Sequence, residues 1–259
     1  MESFITMFTK ALVRKPCRNM VRGITTAGLG APDYEKALAQ HAVYIDALQR
    51  CGLAVTALPA DEKYPDSVFI EDAAVLSEKV AVITRPGAAS RQGEAMAVVA
   101  SLQKFYDRLE YISAPGTLEG GDVMRVGDTF FIGISARTNP QGAGQLAVIL
   151  QKNGYAATLV PLRDVLHLKT GVAYLENNRL LACGEFLGQP LLSAFETVPV
   201  PAAEAYAANS VWINGRVLVP AGFPATKKII EKTGCETMAV DVSEFRKLDG
   251  GLSCLSLRF

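Results

Sequence analysis

Residues 118–134 read Leu118-Glu119-Gly120-Gly121-Asp122-Val123-Met124-Arg125-Val126-Gly127-Asp128-Thr129-Phe130-Phe131-Ile132-Gly133-Ile134. Two β-prone runs, Val123–Val126 and Thr129–Ile134, flank the turn pair Gly127-Asp128, so the stretch predicts a tight hairpin with acidic residues at its mouth. The pattern recurs on both sides. Ala73–Val75 and Val80–Thr84 surround Ser77-Glu78-Lys79, and Val172–Leu175 and Leu180–Cys183 surround Asn177-Asn178. Val211–Ile213 and Val217–Val219 surround Asn214-Gly215, the strongest hairpin signal of the set. Each hairpin runs out at a glycine: Gly87, Gly133, Gly184 or Gly222.

Between hairpins the chain predicts a helical or irregular segment and then another short β-rich stretch. Asn139 is a suitable cap, Pro140 suits the first helical position, Ala143–Leu150 is apolar, and Asn153-Gly154 closes that helix. A second helix is predicted from Ser90 to about Tyr106, and a third from Asp33 to Arg50, ending at Cys51-Gly52. The unit of hairpin, helix and strand returns about every 40 to 50 residues, the signature of a stacked array or closed ring. Five such units fit the chain. The ring closes if the last strand, Ser253–Phe259, pairs near the first, Ala11–Val13.

Polar residues stand at the hairpin mouths: Asp72, Glu119, His167, Asn209 and Cys254, separated by about 42 to 48 residues. In a ring of five units, equivalent positions face one axis, so carboxylates, an imidazole and a thiol would converge there. On the terminal strand, period-two alternation groups Cys254 with Ser256 and Arg258 against Leu255, Leu257 and Phe259. Strand parity alone leaves Cys254 between a small buried hydrophobe and a reactive thiol. The acidic pair Glu71-Asp72, flanked by apolar residues, calls for a cationic partner, and a guanidinium offers five donors. His167 reads as a core histidine in isolation and as a general acid/base within the series. Arg91 and Arg137 each follow a hairpin-ending glycine by four residues and suit a fork for one carboxylate. Asp66 is either a turn residue or the partner of a substrate ammonium.

The chain has 26 Lys plus Arg and 26 Asp plus Glu, so no basic face for nucleic acid is expected. No apolar run has the length of a membrane span, and Met1–Lys10 does not read as a secretory signal, so a cytoplasmic location is expected. The five cysteines are scattered and the two histidines distant, a pattern that argues against disulfides and against a metal site.

Taken together, the motifs resemble the dimethylarginine dimethylaminohydrolases of the guanidine-modifying (amidinotransferase) superfamily. The resemblance rests on Pro65-Asp66-Ser67-Val68-Phe69-Ile70-Glu71-Asp72, Ile83–Arg91, Leu118–Asp122, Ser135–Asn139, His167–Gly171 and Asp249–Cys254. It implies an α/β fold, a five-bladed propeller (pentein) with pseudo-fivefold symmetry, forming one catalytic domain over residues 1–259. It also implies Cys254 as nucleophile, His167 as general acid/base and Glu119 as its carboxylate partner. Asp72, with Glu71 beside it, would hold the guanidinium, Arg91 and Arg137 the substrate carboxylate, and Asp66 the amino end. The Ile24 backbone would contribute from a mobile loop, Gly23–Pro32. The implied reaction converts asymmetric dimethylarginine or monomethylarginine to citrulline through a covalent thiouronium, with no cofactor and no metal. The partner expected is a small guanidino amino acid, with no nucleic acid and no membrane, and a homodimer is allowed for. Arginine deiminase and amidinotransferase activities are the alternatives within the superfamily, and a non-catalytic guanidino-amino-acid binding protein is the alternative of another class.

Overall fold

The computed structural model describes residues 7–259, so most of the Met1–Lys10 stretch read for a secretory signal lies outside the described residues. The described residues form five three-stranded sheets, each with one antiparallel and one parallel pairing. Four sheets follow the chain: β3–β5 (Ala74–Leu76, Ala81–Ile83, Leu109–Tyr111), β6–β8 (Val123–Val126, Thr129–Ile134, Ala156–Pro161), β9–β11 (Val172–Tyr174, Arg179–Ala182, Glu196–Pro199) and β12–β14 (Val211–Ile213, Arg216–Pro220, Glu236–Val240). The fifth joins both ends of the described chain. Strand β1 (Lys10–Arg14) pairs with β2 (Ala54–Leu58) and with β15 (Leu257–Arg258), in the register Ala11 to Arg258 and Leu12 to Leu257. The ring therefore closes as the repeat predicts.

Local chemistry accounts for the elements. Asn214 and Gly215 both take positive φ, 49° and 89°, as a two-residue hairpin turn with the hand of strand twist requires. Helix α1 (Tyr34–Arg50) starts where Asp33 accepts a hydrogen bond from Lys36 N at 2.9 Å. It buries Ala37, His41, Tyr44 and Leu48, spaced three or four apart, and so presents one stripe to the core. After the helical turn α2 (Val99–Leu102), helix α3 (Pro140–Lys152) is capped by Asn139, which accepts from Gly142 N at 2.8 Å. Its Leu146 and Leu150 are fully buried, each worth roughly 1.5–3 kcal/mol of hydrophobic stabilisation.

Two sequence expectations are corrected. The helix from Ser90 to Tyr106 is broken into 3-10 turns at Ala89–Arg91 and Ala95–Val98 and the single α turn α2. Gly93 lies against the Tyr64 ring, where a Cβ would fall 1.8 Å from the hydroxyl, and Arg91 and Glu94 turn inward as a buried ion pair. Close packing and buried charge thus override helical propensity. The second correction concerns Cys254. Only Leu257 and Arg258 are strand, and Cys254 sits on a 3-10 turn, Ser253–Leu255. Strand parity therefore does not set its direction.

The turn before the strand is a common feature of all five mouths. Asp72 lies in the turn Ile70–Ala73, Glu119 precedes Gly120–Asp122, His167 caps α4 (Leu168–Gly171), Asn209 follows Ala202–Ala208, and Cys254 occupies its own turn. No helix among the described residues is long and apolar enough to cross a membrane.

Candidate active site

The five mouth turns are joined into a ring by hydrogen bonds. Gly121 N donates to Asp72 Oδ1 at 2.9 Å, and Leu168 N donates to Asp122 Oδ1 at 2.9 Å. Asn209 Nδ2 donates to Lys169 O at 2.9 Å, and Ser253 N donates to Asn209 Oδ1 at 3.0 Å. Ser253 Oγ closes the circle by donating to Glu71 Oε2 at 2.8 Å. The turns approach so closely that Gly120 and Gly121 have no room for side chains. A Cβ on Gly120 would lie 2.0 Å from Glu71 O, and one on Gly121 would lie 2.9 Å from the His167 ring.

Cys254, His167, Asn209, Tyr206, Gly251 and Ser253 are among the residues that line a small pocket of about 30 Å³. Gly251 N donates to Cys254 Sγ at 3.4 Å. Burial, followed by the charges of Glu71 and Asp72, pushes the thiol up to about 12, so it is protonated at neutral pH. His167 donates from Nε2 to Glu119 Oε2 at 2.7 Å. Burial pulls the imidazole down, but Asp72, the Glu119 hydrogen bond and Asp122 outweigh it and push it up to about 9. The resting pair at neutral pH is thus a thiol and an imidazolium.

Asp72 is fully enclosed, and although burial acts against its charge, Arg91 holds its carboxyl below the usual range. Arg91 is not the open fork the sequence suggests. Its Nη1 donates to Asp72 Oδ2 at 2.8 Å, its Nε and Nη2 engage Glu94, and Nη2 also reaches Phe69 O at 3.3 Å. A buried guanidinium cannot be left unpaired, and neighbouring carboxylates have claimed most of its donors. Arg137 is freer, with Nη1 3.6 Å from Glu119 Oε1 and its side chain 19% exposed.

Glu71 also departs from its expected place. Its Oε1 accepts from Lys169 Nζ at 2.6 Å and Arg258 Nη2 at 3.1 Å, and it lines a separate cavity of about 510 Å³ instead of the Cys254 pocket. Asp66 and Ile24 do meet: Ile24 N donates to Asp66 Oδ1 at 3.0 Å. The segment carrying Ile24 is tied to the approach to Cys254, because Thr26 N donates to Asp249 Oδ2 at 2.6 Å and Thr25 Oγ1 donates to Lys247 O at 2.7 Å.

Asp72, Glu119 and His167 bring ligand-type atoms within 4.8 Å of one another, a grouping of three members of the mouth series supplied by three blades. Arg91 and the imidazolium balance its charge. Sequence reasoning missed Glu94, Lys169, Tyr206 and Ser253. Two of these carry signals in retrospect: Glu94 lies three residues after Arg91, and Ser253 adjoins Cys254.

This arrangement of five blades around a ring of converging polar turns is that of a pentein. A family model for arginine deiminase matches residues 64–211. An N(G),N(G)-dimethylarginine dimethylaminohydrolase of Pseudomonas aeruginosa is 52% identical over 98% of this chain and 100% of its own. A crystal structure of the Pseudomonas aeruginosa enzyme, a Cys→Ser mutant complexed with citrulline, superposes with a TM-score of 0.97 at 51% identity, covering 98% of this chain and 100% of that one. A dimethylarginine dimethylaminohydrolase adduct with S-methyl-L-thiocitrulline, in a His→Gly variant, gives 0.96 at 52% identity over 98% and 100%. The chain belongs to the dimethylarginine dimethylaminohydrolase family.

Proposed function

We propose that the chain hydrolyses Nω-methylated arginines to citrulline and methylamine or dimethylamine, its five blades forming one catalytic domain. The observation that carries the reading is the pocket lined by both Cys254, whose thiol accepts from the Gly251 N–H, and His167, which is bonded behind to Glu119.

The surroundings of these residues support the part assigned to each. Asp72 accepts one hydrogen bond at each oxygen, from Arg91 and Gly121, and a carboxylate has about four acceptor positions, so two remain for a substrate guanidinium. Glu119, accepting from Gly87 N at 3.0 Å and from His167, keeps capacity beside it. Burial and then the negative field of Glu71 and Asp72 hold Cys254 as a thiol; the arriving cation offsets that field, so the thiol releases its proton to solvent and the thiolate forms. The thiolate attacks the guanidinium carbon, and a C–S bond forms. His167, already protonated, donates to the leaving amine as the C–N bond breaks, and a thiouronium remains. The neutral imidazole then takes a proton from water, whose hydroxide adds to the same carbon; the C–S bond breaks, the departing sulfur takes up the hydroxyl proton, and citrulline and the Cys254 thiol result. Arg137 and the remaining Arg91 N–H bind the substrate carboxylate, and Asp66 with the Ile24 carbonyl binds the ammonium. The five cysteines are free thiols, which supports a reducing, cytoplasmic setting.

Asymmetric dimethylarginine incubated with the purified protein should yield citrulline and dimethylamine in equal amounts. Citrulline and ammonia from unmethylated arginine alone would replace this reading with a deiminase. Transfer of the amidino group to an added amine would indicate an amidinotransferase, and ligand binding without turnover a binding protein.

A further inference from the structure

Asn209 is the one member of the mouth series without a part in the chemistry, and it makes two of the five links in the ring. Its amide is buried and fully engaged. Oδ1 accepts from Ser253 N at 3.0 Å, and Nδ2 donates to Ser253 Oγ at 3.0 Å and to Lys169 O at 2.9 Å. Asn209 thus grips both the backbone and the hydroxyl of the residue before the nucleophile, while holding the blade that carries His167. The amide also packs on Gly251, where a Cβ would lie 2.4 Å from Asn209 Oδ1. Gly251 supplies the N–H directed at Cys254 Sγ. Tyr206, three residues earlier on the same turn, donates to Gly250 O at 2.7 Å and braces the other end of the loop.

We propose that Asn209 is a positioning residue for the nucleophile: it fixes the Gly251–Cys254 turn so that the Gly251 N–H meets Sγ, and it orients the Ser253 hydroxyl toward Glu71. An amide is required because one group must accept and another donate, without adding charge. Ser253 Oγ has one proton, and with Asn209 Nδ2 directed at its lone pair that proton goes to Glu71 Oε2. An acceptor at Nδ2 would pull the proton away, leave Glu71 with one donor fewer, and place another negative charge near the thiol. The inference rests on Cys254 being the nucleophile of the proposed reaction.

The test compares Asn209→Asp and Asn209→Ala with the unaltered protein in two readouts: the pH dependence of Cys254 alkylation by iodoacetamide, followed by mass spectrometry, and steady-state citrulline formation. Asn209→Asp keeps the shape and should fold; its alkylation profile should move to higher pH, and kcat should fall about 10- to 100-fold with KM within about threefold. Asn209→Ala should lower kcat similarly, and adding Ser253→Ala should cost little more, because both act through one hydrogen-bonded unit. Unchanged alkylation and kcat in Asn209→Asp would overturn the proposal, as would losses that only track the folded fraction, or fully multiplicative effects of Asn209→Ala and Ser253→Ala. If the unaltered protein makes no citrulline, the functional reading fails, while the alkylation arm still decides the part of Asn209.

Discussion

His167 Nε2 lies 2.7 Å from Glu119 Oε2, and the Glu119 side chain is wholly shielded from solvent. A buried carboxylate at that distance favours the imidazolium, so the proposed general acid is charged before substrate arrives. Glu119→Gln removes the charge but keeps an acceptor. His167 should then titrate lower, the alkaline limb of kcat/KM should move to lower pH, and kcat should fall about 10- to 100-fold. A pH–rate profile checks this.

Cys254→Ser should reduce citrulline formation by at least about 10³-fold, because the serine hydroxyl is a far weaker nucleophile without a strong base beside it. The ring bonds of the turn run through Ser253 and not through the Cys254 side chain, so the melting temperature should stay within about 2 °C. Trapping a thiocitrulline-like adduct on the unaltered protein, with none on the variant, would complete the check. Wild-type-like turnover in the variant would sink the mechanism.

Gly120 and Gly144 should respond oppositely to alanine. At Gly120 the new methyl meets the Glu71 carbonyl at 2.0 Å, backbone that cannot give way, so a loss of about 1–3 kcal/mol or more is expected. Gly144 lies inside α3 with nothing within 4 Å of the added atom, and helix propensity predicts a gain of about 0.5–1 kcal/mol. Urea unfolding midpoints measure both.

Stability should fall on either side of about pH 6.5, the ordinary histidine value. His41 is buried beside Lys15, its Nε2 has no hydrogen-bond partner among the described residues, and it is pushed down to about 4. Its neutral form is favoured in the fold, so this contribution is complete above pH 6.5 and is lost as pH falls toward 4, on the order of 2–3 kcal/mol. His167 acts in the opposite sense. Raised to about 9, it contributes below pH 6.5 and its share is lost as pH rises through 9. His41→Phe should flatten the acid limb of the unfolding midpoint against pH and leave the alkaline limb in place.

The strands and turns were legible because their causes are local. Asn214-Gly215 needs two positive φ angles, Asn139-Pro140 caps and starts a helix, and period-two apolar runs flank each turn. The spacing of Asp72, Glu119, His167, Asn209 and Cys254 was equally visible, since a repeated unit repeats its polar position. Local signals failed where distant atoms intervened. Tyr64 and the inward Arg91–Glu94 pair broke the segment from Ser90 to Tyr106, and the ring bonds held Cys254 on a turn instead of a strand.

Sequence by itself determined the repeat and the set of groups at the mouths, and made ring closure conditional on the end-to-end pairing that β1 and β15 form. Tertiary structure alone decided how those groups are paired. Arg91 joins Asp72 and Glu94, Glu71 joins Lys169 and Arg258, and Asn209 grips Ser253, because buried charges and amides must find partners within about 3 Å. Which partners lie that close depends on how five blades meet at one axis, a distance that spacing along the chain does not contain.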